Sequence, residues 1–293
     1  MNKWMAILLT GLIAAVVVSG CTADSNLEAV NPTTVGGSES NKDSNVNTTT
    51  SNPSLPEVGV LIQRMNEAGK ELNSFSTEED VYQIIVNRVS NTASTEQIVD
   101  SLTRSDIIKE PFQIHSSTQT KMHTEDMSMN MEQYVTKDAI YMKLGKDWMK
   151  MNEEMRVKAM PSMEEAGYPW RQLEPYRSVE DAMEVSEEGE HYVIRAKLND
   201  SQLLKFAESY RNQTNVHGEP LMDNYSDLKI RKANLVYTVH KDTYYPVEIS
   251  LSTDMDVTMS GNTFSIETER RSKYSNYGEI KEINIPQEVL AAP

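Results

Sequence analysis

The chain has 293 residues, of which 28 are Lys or Arg and 44 are Asp or Glu, so its formal net charge at pH 7 is −16. Phosphate-rich surfaces repel so acidic a chain, which excludes nucleic acid as a general partner. Cys21 is the only cysteine in the sequence, so the chain cannot form an internal disulfide or a metal site built from several thiolates.

The N-terminal residues predict an export signal. Lys3 precedes a mostly apolar run over residues 5–18, which stops at Val18-Ser19-Gly20-Cys21. The run of about 14 residues is shorter than the roughly 20 that cross a bilayer. This pattern resembles a bacterial lipoprotein signal peptide that ends in a lipobox. The resemblance implies cleavage after residues 1–20 and lipidation of Cys21 with a diacylglycerol and sometimes an N-acyl group.

We therefore expect a protein anchored through acyl chains such as palmitate to the extracytoplasmic face of the cell membrane. An ordinary secretory peptide with a chance cysteine is the alternative. Residues 21–56 are rich in Ser, Thr, Asn, Gly and Pro and lack an apolar period, which predicts a disordered tether. Residues 57–293 then form one domain, whose length suits a single β-rich core.

The predicted domain begins with a helix and continues as antiparallel strands. Helical spacing relates Leu61, Met65, Ala68 and Leu72, which predicts a helix that ends near residues 73–74. Alternation over 82–86 and a weaker pattern over 98–108 predict a hairpin that turns at Ser90-Asn91-Thr92. Later strands, separated by turn residues, are predicted over 112–122, 127–135, 139–144 and 148–151.

The second half of the domain predicts helices and then strands. Residues 152–183 favour broken helices that form a cap, with interruptions at Pro161, Pro169 and Pro175. A strand over 192–198 precedes a helix whose predicted N-cap is Asp200. Alternation then predicts final strands over 230–240, 247–259 and 264–274. This order indicates an α+β fold in which helices pack on one face of an antiparallel sheet.

Several segments carry a family resemblance. They are Asp138-Ala139-Ile140-Tyr141-Met142-Lys143 with Trp148-Met149-Lys150-Met151, then Tyr237-Thr238-Val239-His240-Lys241-Asp242-Thr243-Tyr244-Tyr245-Pro246-Val247, and the ending from Asn276-Tyr277-Gly278 through Ile283-Asn284-Ile285-Pro286-Gln287-Glu288-Val289. With the element order, they resemble an uncharacterised family of Gram-positive lipoproteins with the LolA/LppX-like fold. The resemblance implies an open half-barrel sheet whose concave face is covered by helices. Characterised relatives hold acyl chains or lipoproteins in that concavity, which implies a hydrophobic ligand here by analogy.

Methionine is concentrated in one part of the chain. Ten of the 17 methionines lie between Met122 and Met163. Alternation places Met127, Met129 and Met131 on one face of a strand, and His123 has the same parity. Thioethers and an imidazole bind Cu(I), so a copper site is one hypothesis. The favoured interpretation is an adaptable apolar lining, because methionine suits promiscuous hydrophobic surfaces.

The sequence contains no motif typical of hydrolases, metalloenzymes or phosphate-binding enzymes. Neighbouring carboxylates such as Glu164-Glu165 diverge on a helix, which disfavours a catalytic pair. Asp254-Met255-Asp256 partly matches a calcium loop, but Met259 stands where that loop needs glycine. We interpret these acidic residues as the solvent face of a strand. We therefore expect neither an enzyme nor a cofactor.

The leading hypothesis is a lipoprotein that binds a hydrophobic ligand or lipid in a helix-covered half-barrel. The candidate lining residues are Met129, Met131, Met142, Tyr237, Ile249 and Leu251, although alternation alone does not say which sheet face is concave. The alternative is a protein-interaction or envelope-sensing module with a filled core and an acidic binding face. An open apolar cleft favours the carrier, whereas close packing under the helices favours the interaction module.

Overall fold

The computed structural model describes residues 55–88, 94–211, 227–259 and 262–293. The predicted signal peptide, Cys21, nearly all of the predicted tether and the predicted turn at Ser90-Asn91-Thr92 lie outside these residues. Among the described residues, no helix combines the length and the apolar character needed to cross a membrane.

One antiparallel sheet dominates the fold. Within the described ranges it contains eleven strands, in the spatial order β6-β5-β4-β3-β2-β1-β11-β10-β9-β8-β7, so β6 and β7 are its open edges. The strands are Ser74–Arg88 (β1), Thr95–Ile108 (β2), Gln113–Met122 (β3), Met127–Thr136 (β4), Ile140–Leu144 (β5), Trp148–Lys150 (β6), Met183–Glu188 (β7), His191–Lys197 (β8), Asp227–His240 (β9), Pro246–Met259 (β10) and Asn262–Ser275 (β11).

Helices account for most of the remaining described structure. They are Val58–Glu71 (α1), Glu153–Glu165 (α2), Asp200–Arg211 (α3), Gln287–Leu290 (α4) and a 3-10 segment over Pro169–Ala182. The predictions of an α+β chain, of an opening helix, of the β1–β2 hairpin and of an antiparallel sheet are confirmed.

Side-chain alternation gives the sheet two faces of different character. Phe75, Tyr237 and Ile249 are at most 2% exposed, and they belong to one hydrophobic cluster with Leu61 of α1 and Leu173 of the 3-10 segment. We call this side of the sheet the core face and the other side the opposite face. The Tyr237 hydroxyl also donates to a backbone carbonyl of the 3-10 segment, 3.4 Å away, which ties that segment to β9.

Two local predictions are wrong, and one strand is not predicted at all. Asn199, not Asp200, is the N-cap of α3: its side-chain oxygen accepts from the Gln202 backbone N–H at 3.1 Å, and the Gln202 side chain accepts from the Asn199 N–H at 3.0 Å. Pro161 does not interrupt α2, which continues through it. The unpredicted strand is β7, a short edge strand with little apolar alternation.

The C-terminal residues cover one end of the opposite face. Val289 of α4 is fully buried in a small cluster with Tyr134 and Tyr141. The Pro293 carbonyl accepts a hydrogen bond from the Lys150 backbone N–H at 3.0 Å, so the last residues also bond to the edge strand β6. Covering an edge in this way removes backbone groups that would otherwise be open to pairing with another chain.

Helix α1 packs directly on the 3-10 segment at a glycine. A methyl group added at Gly69 would lie 2.4 Å from the ring of Trp170, which is only 4% exposed. Gly69 is therefore a helical glycine that is required for close packing, although alanine is the better helix former.

We expect Gly69→Ala to lower the free energy of unfolding by about 1–2 kcal/mol, because overpacking a core outweighs the helix-propensity gain of about 1 kcal/mol. Urea unfolding followed by circular dichroism measures this change. Gly59→Ala is the matched control in the same helix, since its added methyl meets only the mobile end of Glu180 at 2.8 Å. A Gly69→Ala protein as stable as the wild type would contradict the prediction.

Candidate functional site

The six predicted lining residues all lie on the core face. Read across the sheet, one row of directly opposed residues is Met129, Thr120, Ser101, Val81, Arg270 and Leu251. The adjacent row on the same face is Met131, Thr118, Thr103, Glu79, Ser272, Ile249 and Tyr237. Met142 opposes Gln133, two residues beyond Met131, and so faces the same way. The register therefore places residues from four strands on one face, but four intervening strands separate the methionines of β4 and β5 from Tyr237, Ile249 and Leu251.

These six residues differ in burial. Tyr237 and Ile249 are packed inside the main cluster, whereas Met129, Met131, Met142 and Leu251 are half-buried. Burial raises the pKa of the Tyr237 hydroxyl well above its ordinary value, so this group stays neutral and donates a hydrogen bond. The core face is thus closely packed on β9 and β10 and more open on β4 and β5. That the six residues line a ligand cavity stays a prediction.

We call Met127, Met129 and Met131 of β4, together with Met142 of β5, the methionine strip. All four side chains are half-buried on the core face. Beside the strip, β3 and β2 present short hydroxyl side chains: Thr118, Thr120, Ser101 and Thr103. Serine and threonine side chains project less far from the sheet backbone than methionine side chains do. A shallow band of hydroxyl side chains therefore lies between the methionine strip and the packed core.

His123 does not join the methionine strip, and the prediction that they share a face is wrong. The His123 backbone N–H donates to the Ile98 carbonyl at 2.9 Å, which extends the β2–β3 ladder by one residue. The His123 ring bonds to the Asp100 carboxylate, which projects from the opposite face. His123 and Met127 both have odd numbers, but residues 123–126 form a turn between β3 and β4, with Asp126 at a positive φ of 47°. Side chains do not alternate regularly through a turn, so equal parity does not place these two residues on the same face. A copper site composed of methionines alone remains a hypothesis.

The acidic residues of β10 are not simply a solvent face, which corrects the prediction. Asp254 and Asp256 both pair with Arg231 of β9, and Asp256 also accepts from the Ser265 hydroxyl at 2.5 Å. Partial burial alone would raise the pKa of Asp256, but hydrogen bonds from Arg231 and Ser265 outweigh it and lower this pKa. In the described part of the chain, no group of three His, Cys, Asp or Glu side chains is placed to hold a metal ion.

The opposite face carries a groove of about 840 Å³ that the sequence analysis does not predict. The side chains that line it stand in two adjacent cross-strand rows on seven strands, from β4 to β9. One row is Asn130, Gln119, Leu102, Asp80, Arg271, Ser250 and Val236, and the other is Ser128, Lys121, Asp100, Tyr82, Glu269, Ser252 and Asn234. Between these rows the groove is also bordered by five residues whose side chains project from the core face: Val81, Ser101, Thr120, Leu251 and Arg270. We call this the cross-sheet groove.

A buried carboxyl lies where α2 leads into the 3-10 segment. Glu165 is 4% exposed; one of its oxygens is 3.3 Å from Arg171, and the other has no hydrogen-bond partner. Burial raises the pKa of Glu165 to about 7, and the guanidinium of Arg171 offsets only part of that shift. The Arg171 guanidinium in turn stacks 4.2 Å above the ring of Tyr168. The helical part therefore contains a carboxyl that ionises near neutral pH.

Residues 57–293 match DUF6612, a family of unknown function. The chain belongs to the DUF6612 family. The match spans the whole predicted domain, so every helix and strand described above belongs to the DUF6612 domain. No curated protein sequence matches the chain.

Solved structures resemble the DUF6612 domain only weakly. LprF from Mycobacterium bovis is 13% identical over 80% of this chain and 98% of its own, with a TM-score of 0.33. A DUF1329 family protein from Desulfovibrio piger is 12% identical over 73% and 92%, with a TM-score of 0.27. A LolA superfamily protein from Nitrosomonas europaea is 6% identical over 80% and 97%, with a TM-score of 0.20. Because these TM-scores are low, the architecture described here rests on the strand register of the DUF6612 domain itself.

We expect Glu165 to make the DUF6612 domain less stable as pH rises. Its pKa of about 7 exceeds the ordinary value of 4.5, so the folded state binds this proton more tightly than the unfolded state does. Its contribution is complete below pH 4.5 and is lost as the pH rises to about 7. The free energy of unfolding should fall by up to about 3 kcal/mol across this window relative to Glu165→Gln.

Urea unfolding at several pH values measures that difference. Glu154→Gln is the matched control, because Glu154 lies in the same helix but is fully exposed and bonded to Lys158. It should leave the pH dependence between 4.5 and 8 unchanged. Parallel stability curves for the wild type and Glu165→Gln would show that folding leaves the pKa of Glu165 unchanged and would refute the prediction.

Proposed function

We propose that this DUF6612 chain is a membrane-anchored extracytoplasmic lipoprotein whose domain binds a hydrophobic ligand on the methionine strip. The observation that carries the proposal is the incomplete burial of the strip. Its side chains project from the face that forms the core, yet they remain half-buried, while Phe75 and Tyr237 on that face are fully enclosed. Apolar surface that the fold itself leaves partly uncovered is available to a ligand.

The chemistry of the strip suits a flexible apolar ligand. Methionine has three rotatable bonds and a polarizable sulfur, so a row of methionines can fit chains of different length and shape. The hydroxyl band beside it is short, and the Thr103 and Thr118 hydroxyls bond to each other at 3.0 Å, so both hydroxyls already have a partner. An acyl chain lying over this band would contact methionine on one side, and on the other side it would meet Val81 and the paired Glu79 and Arg270.

We propose further that the sheet is a half-barrel and that the helices cover its ligand-binding face. This arrangement is supported by the bond from Tyr237 to the carbonyl of Pro169 and by the bond from the Gln172 amide to the Tyr274 hydroxyl at 3.5 Å. Both contacts join the 3-10 segment to side chains of β9 and β11 that project from the core face. The resemblance to LolA/LppX-like lipoproteins motivates the same arrangement.

Ligand binding can be tested with residues 22–293, which include every described element but lack the predicted lipid. We expect native mass spectrometry, after incubation with phosphatidylglycerol vesicles, to detect a lipid adduct. Met129→Glu should weaken lipid binding at least about tenfold, because an acyl chain would desolvate the new carboxylate. The adduct fraction at several lipid concentrations measures this loss.

The control is Asn130→Glu, which adds the same charge to the next residue of β4 but on the opposite face. It should keep lipid binding, and thermal unfolding should show that both variants are folded. A folded wild type that acquires no lipid would contradict the carrier and favour the interaction module with a filled core. Equal binding by Met129→Glu and the wild type would remove the strip from the binding site.

Anchoring rests on the lipobox resemblance at Cys21 and on the predicted tether. We expect the wild type to incorporate labelled palmitate in a bacterial host and to sediment with membranes. Cys21→Ala removes the only thiol and should abolish both, while Ser19→Ala, which keeps a small residue before the cleavage site, should retain both. Palmitate incorporation by Cys21→Ala would refute lipidation at this residue.

A further inference from the structure

The cross-sheet groove is chemically unlike the methionine strip on the other side of the same strands. Six of its side chains are amides or hydroxyls: Gln119, Asn130, Asn234, Ser128, Ser250 and Ser252. None of the six hydrogen-bonds to another described residue through its side chain. Amides and hydroxyls both donate and accept, so the groove offers free bonding capacity of both kinds. From this composition and geometry, we propose that the cross-sheet groove binds a neutral oligosaccharide.

An exposed aromatic ring stands at the centre of the groove. Tyr82 on β1 is 40% exposed, and its direct cross-strand neighbours are Asp100 on β2 and Glu269 on β11. A sugar ring has apolar C–H faces and a rim of hydroxyls. Tyr82 can stack against such a face, while carboxylates on either side accept hydrogen bonds from the rim.

The charges in the groove are of both signs. Asp80 lies directly across from Arg271, and Asp100 lies directly across from Lys121, while Glu269 has no basic residue directly across from it. Arg271 also bonds to Glu248 at 2.7 Å, and Asp100 bonds to the His123 ring. Opposite charges at cross-strand positions largely cancel at the distance of a ligand. The groove therefore provides no concentrated positive site for phosphate and no continuous acidic surface for a polycation, which favours an uncharged ligand.

Most of the backbone under the groove is already paired. The strands from β3 to β9 that line it have a neighbour on both sides, whereas β4 pairs with β5 only from Met131 onward, so Ser128 and Asn130 lie beyond the end of β5. An extended peptide binds to sheets mainly by adding a strand at a free edge, and along the described groove only this short stretch of β4 offers one. Recognition along the rest of the groove must use side chains, which suits a hydroxyl-rich chain better than a peptide backbone.

The dimensions indicate a chain of sugars. Seven strands at a spacing of about 4.8 Å give a path of about 29 Å from β4 to β9. The volume of about 840 Å³ is in the range of built ligand sites. A monosaccharide would contact only the strands around Tyr82, whereas an oligosaccharide would reach Asn130 at one end and Asn234 at the other.

The test uses the full-length protein in detergent micelles. Isothermal titration with two neutral probes, the hexamers of β-1,4-linked N-acetylglucosamine and of β-1,4-linked glucose, distinguishes amide-bearing from plain sugars. We expect one of them to bind. Tyr82→Ala should weaken that binding at least tenfold, Tyr82→Phe should retain it within about threefold because the ring remains, and Asn130→Ala should weaken it severalfold.

Asn130 is exposed and so its replacement should not unfold the sheet, which keeps the test valid if Tyr82→Ala fails to fold. Met129→Glu should bind the sugar normally, so failure of the lipid proposal and failure of this one are distinguishable. Three results would overturn the inference: no binding of either hexamer, binding that Tyr82→Ala and Asn130→Ala leave unchanged, or binding only of polygalacturonate or polylysine used as charged probes.

Discussion

Continuous strand register is the constraint on which the rest of this structure depends. From β4 to β9 neighbouring strands pair over most of their length, and among these pairs the register shifts only between β9 and β10. Since successive side chains alternate between faces, the parity established in one strand is carried across the sheet. The methionine strip and the cross-sheet groove are two results of the same register, seen from its two sides.

The middle of the core face shows how this sheet tolerates polar residues inside. Arg270 is only 6% exposed, and its guanidinium bonds to Glu79 at 2.7 Å; Ser272 donates to the same carboxylate at 2.9 Å. Nearby, the Gln83 amide donates to the Thr268 hydroxyl at 3.1 Å. Buried polar groups are tolerated when paired, and removing one partner of a buried ion pair leaves an uncompensated charge. This polar band lies in the same rows as the hydroxyls beside the methionine strip, so the core face changes gradually from apolar to polar between β10 and β3.

Sequence reasoning succeeded where the determinant is local. Alternation within one strand was enough to predict β1, β10 and β11 and to place Met129 with Met131, or Ile249 with Leu251, on a common face. The prediction for His123 failed because a turn lies between His123 and the methionines of β4. The prediction for Asp200 failed because two adjacent residues, Asn199 and Asp200, can both cap a helix, and Asn199 is the one that does. The groove was out of reach for a different reason. Its fourteen lining side chains come from seven strands and become neighbours only through pairings up to 191 residues apart, such as Asp80 with Arg271, which no local pattern specifies.

The two faces impose opposite requirements on the same strands. In β4, Met127, Met129 and Met131 serve the core face, while Ser128 and Asn130 serve the groove. A one-residue slip of β4 would exchange these sets, presenting methionines to the groove and polar groups to the core. The slip would place thioethers among the groove's charges and leave Asn130 facing the band beside the core, and both changes are unfavourable. The two surfaces therefore stabilise one register jointly, and the polarity of the groove specifies the fold as well as a ligand.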